Sequence, residues 1–218
     1  MVTLEFPQQS LNPGRIFCVG CNYAEHIKEL GRDYTDDRCV IFMKPNTSLV
    51  AHGSPLAIPT DEGALHHEVE QLVVIAKEGK NISRESAREH VLGIGVGLDL
   101  TLRDKQNVLK AHGQPWEICK SFDNSAPIGH FVTLEDRNLA DLHFECSVNG
   151  KIRQKGYSGD MLFPVDQIIQ ILSKSWKLLP GDLIYTGTPP GIGPLVPGDR
   201  ISIQGSFSDA YSWDVTAS

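Results

Sequence analysis

Glu68 and Glu70 stand two residues apart in His66-His67-Glu68-Val69-Glu70. In a strand, residues i and i+2 point the same way, so the two carboxylates share a face. Like charges that close repel, and one is pushed toward protonation unless a cation sits between them. An E-x-E pair can equally be a solvated strand face. Asp99 adds weight to the first reading. It lies between Leu98 and Leu100 in a glycine-rich apolar run, where a bare carboxylate is costly. A salt bridge or a hydrogen-bonded turn would explain Asp99 alone, whereas one shared cation explains all three acids. Carboxylates are hard oxygen donors and suit Mg²⁺, Mn²⁺ or Ca²⁺ rather than zinc. Three protein ligands leave positions on an octahedral ion for water and substrate. His67 points to the strand face opposite Glu68 and reads as structural.

Other residues could serve such a site. His26 and Glu29 are three apart, on one face of a short helix. A carboxylate beside an imidazole fixes its tautomer and raises its basicity, which suits a general base, although the spacing is also that of an ordinary surface pair. Arg103 and Gln106 have the same spacing just after Asp99, and Lys120 follows soon after. Three carboxylates with one divalent ion leave a negative site, so an anionic substrate needs cations such as Arg103 and Lys120. Thr186-Gly187-Thr188-Pro189 follows a strand, and its hydroxyl and N–H groups could hold a carboxylate. Cys18 and Cys21 have redox or zinc spacing, but one pair lacks the ligands that zinc needs.

The elements that must position these residues follow from periodicity and punctuation. Residues 15–20 read as a strand. Asn22 then caps a helix, with Glu25 as capping-box partner and Gly31 past its end. Residues 40–43, 67–75 and 93–101 read as strands, the second half-buried, the third with Gly95, Gly97 and Asp99 on one face. Residues 83–90 read as a surface helix, residues 103–112 as a helix ended by Gly113, and residues 164–172 as an amphipathic helix opened by Pro164. Leu142, Phe144, Cys146 and Val148 alternate into Asn149-Gly150, a hairpin turn. The similar segments Leu179-Pro180-Gly181-Asp182 and Val196-Pro197-Gly198-Asp199 read as two turns. Strands dominate without a repeating βαβ pattern, which predicts an α+β fold with a mixed or rolled sheet.

Composition bounds the rest. The chain has 218 residues, 40% hydrophobic and 22% charged, enough for a sizeable core. The net charge of −7 argues against a general nucleic-acid binder. Neither a membrane-spanning apolar run nor a secretory signal is visible. With an odd count of five cysteines, this predicts reduced thiols and a cytoplasmic location.

Taken together, Gly20-Cys21-Asn22-Tyr23-Ala24-Glu25-His26, Phe42-Met43-Lys44-Pro45, His66-His67-Glu68-Val69-Glu70, Leu98-Asp99-Leu100-Thr101-Leu102-Arg103-Asp104, Lys120-Ser121-Phe122-Asp123 and Thr186-Gly187-Thr188-Pro189 resemble the fumarylacetoacetate hydrolase family, in particular its short acylpyruvate hydrolases. The resemblance implies one catalytic domain over residues 1–218, with residues 1–14 a short extension, and the mixed β-roll of the family's C-terminal domain, usually as a homodimer. It implies Mg²⁺ or Mn²⁺ on Glu68, Glu70 and Asp99. A water-activating His26–Glu29 pair would lie on a lid-like helix, with Lys120 stabilising developing charge and Arg103, Gln106 and Thr188 contacting substrate. The implied reaction is cleavage of the carbon–carbon bond of a small acylpyruvate, such as acetylpyruvate or fumarylpyruvate. Larger fumarylacetoacetases have a further acidic ligand, unmatched near Val19, and an N-terminal domain, which points to the smaller substrates here. Oxaloacetate decarboxylation and isomerisation of an unsaturated keto-dicarboxylate are alternatives on the same metal site. A non-catalytic metal-binding protein is the rival from another class, but it would need neither the basic pair nor Lys120.

Overall fold

The computed structural model describes residues 2–31 and 39–218. Among the described residues the strands form four sheets. The largest runs, in spatial order, Val40–Lys44, Ile16–Gly20, Leu183–Tyr185, Val69–Ile75, Val91–Leu98, Ala126–Ile128 and Leu49–Ala51, with Val132–Thr133 also paired to Val91–Leu98. It is mixed: Leu183–Tyr185 runs parallel to Ile16–Gly20, while Val69–Ile75 and Val91–Leu98 form an antiparallel pair. A five-stranded sheet, centred on His143–Val148 and Arg200–Gly205, packs beside it. Together with a few short helices this is the expected α+β roll. Among the described residues no helix is long and apolar enough to cross a membrane.

The strand Val69–Ile75 is buried along its whole length, not half-buried as its sequence suggested. Leu72 and Val74 enter one apolar cluster, and Val69, Val73 and Ile75 the other, so both faces are covered. Glu68 lies in a one-residue break between Leu65–His67 and Val69–Ile75, and Asp99 in the matching break after Val91–Leu98. Val69 lies opposite Leu98 and His66 opposite Thr101, so one antiparallel register spans the gap and sets Glu68 against Asp99. The Asp99 N–H donates to the Glu68 carbonyl at 2.8 Å.

Several local expectations need correction. Asn22 is not a helix cap. The helix is Ala24–Glu29, Tyr23 is its N-cap residue, and no side chain caps it. Asn22 is instead fully buried, donating from Nδ2 to Phe163 O and Thr186 O and accepting from Phe163 N. Glu25 pairs with Lys28 rather than closing a capping box. The helix read over residues 83–90 shortens to a 3-10 turn, Ala87–His90. The helices Arg103–Ala111 and Val165–Ser175 and the turn at Asn149-Gly150, with φ of 53° and 73°, lie where the sequence placed them. The two Pro-Gly segments are matching turns: Asp182 N donates to Leu179 O at 3.0 Å, and Asp199 N to Val196 O at 3.1 Å.

The glycines of Val91–Leu98 let neighbouring chain pack tightly against it. A Cβ at Gly93 would meet the Val132 carbonyl oxygen at 2.1 Å, a backbone atom held by strand pairing. Gly93→Ala should therefore lower stability by about 1–3 kcal/mol, the usual cost of overpacking a tight core. Urea unfolding measures this, and an unchanged midpoint would contradict the packing described.

Candidate active site

The breaks in the strands bring three acids together. Glu68, Glu70 and Asp99 are 4%, 2% and 1% exposed, and each offers a carboxylate oxygen within 4.8 Å of the others. Glu70 lies opposite Gly97 in the ladder, where no side chain crowds it on the partner strand. Its Oε2 accepts the Gly187 N–H at 2.6 Å, which ties the strand to the loop after Leu183–Tyr185.

Three buried cations face these acids. Lys120 donates to Glu68 Oε2 at 2.8 Å and to Asp99 Oδ2 at 2.6 Å. Arg103, in the first turn of Arg103–Ala111, pairs with Glu68 and donates to Gln106 Oε1. Lys44, fully buried at the end of Val40–Lys44, lies 2.9 Å from the other Asp99 oxygen and also bonds the Lys120 carbonyl. Sequence reading left Lys44 without a role. The available signal was a lysine ending an apolar strand, the same anomaly that singled out Asp99.

The electrostatics divide the acids. Burial raises the Glu68 carboxyl, but Lys120 and Arg103 overcome this and hold it well below the ordinary range. Glu70 goes the other way: burial, then Asp99 and Glu68, push it well above, against weaker help from Lys120 and the Gly187 N–H. Burial also opposes the charge of Lys120, but Asp99 and Glu68 prevail and raise its pKa. Two of the three acids thus have direct cationic partners, while Glu70 faces carboxylates. A divalent cation among three hard oxygen donors would relieve that repulsion, so the residues fit such an ion.

His26 is buried beside the same cleft, its Nδ1 3.2 Å from Glu29 Oε2. Glu29 Oε1 accepts the Gly191 N–H at 2.9 Å, which fixes the acid that orients the imidazole. Burial outweighs the attraction of Glu68 and Glu29 and lowers the His26 pKa, so the ring is neutral near pH 7.

One cleft is lined by His26, Glu68, Glu70, Asp99, Arg103, Gln106, Lys120 and Thr188. Every expected metal-ligating, catalytic or substrate-contacting residue except Glu29 lines it, and Glu29 supports His26. The Thr188 hydroxyl is already engaged, donating to Val69 O at 2.9 Å and accepting from Gln154 Nε2 at 2.8 Å. Gln154, buried and in contact with His67, was missed entirely. Cys21 lines the cleft while Cys18 packs in the core, so the Cys-x-x-Cys pair is divided.

The curled mixed sheet thus carries buried acids at and beside paired strand breaks, faced by a histidine–glutamate pair. The pattern described as fumarylacetoacetate (FAA) hydrolase C-terminal matches residues 15–209, and the chain belongs to the fumarylacetoacetate hydrolase family. It is 43% identical over 191 residues to oxaloacetate tautomerase YcgM of Escherichia coli (strain K12), covering 87% of each chain. It is 41% identical to the mitochondrial oxaloacetate decarboxylase of Dictyostelium discoideum, covering 86% of each. A fumarylpyruvate hydrolase from Pseudomonas aeruginosa, solved with Mn²⁺ and pyruvate, superposes with a TM-score of 0.94 at 36% identity, over 100% of this chain and 96% of that one. Relatives of this kind are hydrolases, tautomerases and decarboxylases, and this chain shares their family and fold.

If the acids hold a cation, wild-type protein stripped with a chelator should take up Mn²⁺ in a calorimetric titration. Glu68→Ala and Asp99→Ala should lose that binding. Glu117→Ala, on an exposed helix end, should keep it. Normal Mn²⁺ uptake by Asp99→Ala would show that the cluster is not the metal site.

Proposed function

We propose that this protein is a Mg²⁺- or Mn²⁺-dependent enzyme acting on a short 2-oxo dicarboxylate of the oxaloacetate type, moving it between keto and enol forms. The observation that carries this reading is the charge arrangement. The carboxylates of Glu68, Glu70 and Asp99 are matched in number by Lys44, Arg103 and Lys120. A divalent cation then leaves two positive charges uncompensated, which suits a dianion better than a monoanion. Oxaloacetate and fumarylpyruvate are dianions near neutral pH, and acetylpyruvate is a monoanion. The relatives named for oxaloacetate and fumarylpyruvate support the same choice.

A bound cation would supply Lewis acidity at the 2-oxo oxygen. Glu68, Glu70 and Asp99 would hold it. The protein's own groups account for the proton transfers. Glu29 takes the Nδ1 proton side of His26 and leaves Nε2 free as the base. Neutral His26 can take a proton from the carbon beside the 2-oxo group and pass it to the resulting enolate oxygen, or run both transfers in reverse, so that no proton is gained or lost overall. Lys120 uses two of its donors on Glu68 and Asp99 and keeps a third for negative charge growing on substrate oxygen. Arg103 and Gln106, locked together, offer donors to a carboxylate.

The His26–Glu29 pair favours a second activity, carbon–carbon hydrolysis of an acylpyruvate, because the same base can take a proton from water. Decarboxylation needs no such base. A panel of oxaloacetate enol, fumarylpyruvate and acetylpyruvate with Mn²⁺ and with Mg²⁺ tests the charge argument. The dianions should exceed acetylpyruvate in kcat/KM by roughly tenfold or more, the worth of one good charge contact. Equal rates for all three would remove the basis of the dicarboxylate reading.

His26→Ala should reduce tautomerisation and hydrolysis by about 10²–10⁴-fold, the range for a positioned general base, and decarboxylation much less. The pH profile has a defined sign. A base with a lowered pKa stays unprotonated to lower pH, and a nearby cation lowers it further. Wild-type kcat/KM should therefore hold level through about pH 6.5, the ordinary imidazole value, and fall below it. An acid limb centred above that value, or equal losses of all activities in His26→Ala, would refute the assigned role.

A further inference from the structure

Gln154 lies on the edge strand Lys151–Tyr157 of the five-stranded sheet, far in sequence from the residues that line the cleft. Its three preceding residues are exposed, yet Gln154 is 1% exposed. The ladder to His143–Val148 explains the reversal. Cys146 pairs with Gln154, but Ser147 pairs with Ile152, so Arg153 is an extra residue in a β-bulge. Bulges re-aim the side chains beside them, and this one turns Gln154 into the interior.

There its amide is fully satisfied. Oε1 accepts from Val69 N at 3.0 Å and faces His67 Nδ1 at 3.0 Å. Nε2 donates to Thr188 Oγ1 at 2.8 Å and to Pro189 O at 2.9 Å. The orientation is unambiguous, because Val69 N–H can only donate and Pro189 O can only accept. One side chain from the second sheet therefore joins the strand that carries Glu70 to the loop whose Gly187 N–H bonds Glu70 and whose Thr188 lines the cleft. The same loop approaches this strand again at Gly191, where a Cβ would meet Arg153 O at 2.1 Å.

We propose that Gln154 is a positioning residue of the site: it fixes residues 186–189 against Val69 and holds the Thr188 hydroxyl as a hydrogen-bond acceptor toward the cleft. With its proton on Val69 O and one lone pair on Gln154, Thr188 Oγ1 has a single lone pair left. It accepts from an O–H and donates to no carboxylate. On the reading that a 2-oxo acid occupies the cleft, Thr188 then reaches a keto-form ligand such as pyruvate through an ordered water and an enol through its hydroxyl, and repels a carboxylate oxygen set directly against it.

The test uses Gln154→Glu, which keeps the Oε1 acceptor and loses both Nε2 donors, and Gln154→Met as a second variant of similar size. Mn²⁺ titration, pyruvate titration of the Mn²⁺-loaded protein, and amide hydrogen exchange of residues 186–189 are measured. The expected result is near-normal Mn²⁺ affinity, pyruvate binding weakened by roughly tenfold, and faster exchange at Gly187 and Thr188, in line with loss of buried hydrogen bonds. Thr188→Val should weaken pyruvate similarly, and the double variant little further, because both changes remove one connection. A purely structural role would instead lower thermal stability and leave the losses additive. Additive losses, or unchanged exchange in both Gln154 variants, overturn the proposal. If wild-type protein binds Mn²⁺ but not pyruvate, the 2-oxo acid reading has failed, and hydrogen exchange alone then decides the role of Gln154.

Discussion

Three buried carboxylates within 4.8 Å of one another are the constraint on which this structure turns. Each would cost several kcal/mol if left unpaired away from water. For Glu68 and Asp99 the chain meets that cost with lysines and an arginine drawn from separate elements: Lys44 from a strand end, Arg103 from the first turn of one helix, Lys120 from another. Arg103 even sits at a helix N-terminus, where the backbone dipole disfavours a cation, and its pairing with Glu68 offsets that penalty. The strands must therefore bring distant segments to one point, and the paired breaks at Glu68 and Asp99 are that point.

The same constraint explains which parts of the structure were legible in the sequence. Glu68 and Glu70 announced themselves by spacing, and Asp99 by its apolar neighbours. The helix Arg103–Ala111 and the Asn149-Gly150 turn follow from local periodicity and turn chemistry. Asn22 misled because an asparagine before a helix usually caps it, and only the fold places Phe163 and Thr186 within reach of its amide. Burial of Val69–Ile75 on both faces was likewise hidden, since a second apolar cluster is a property of the assembled sheets. Gln154 could not be recognised locally: its inward aim depends on a bulge set by pairing with residues 146 and 147.

His26 is held by different means from the acids. Asn22 anchors the chain just before Ala24–Glu29 with three buried hydrogen bonds, to Phe163 in both directions and to Thr186. At the other end Glu29 reaches Gly191, on the same stretch of loop that Gln154 secures at Pro189. The orientation of His26 and the position of Thr188 thus share one support. A change at that loop would shift both side chains together, although neither residue is near the other in sequence.

This arrangement also shows why one frame can serve several reactions among its relatives. On the proposed reading, buried charges would fix where a 2-oxo acid end sits and His26 where a proton is removed; neither would choose which bond to a neighbouring carbon breaks. That choice falls to whatever surrounds the rest of the substrate. In this cleft the remaining wall includes Leu30, Phe42, Lys110 and Trp116, a mixture of apolar surface and one cation. On the proposed reading this wall, where Lys110 lies over the Trp116 ring, is what the far end of the substrate meets.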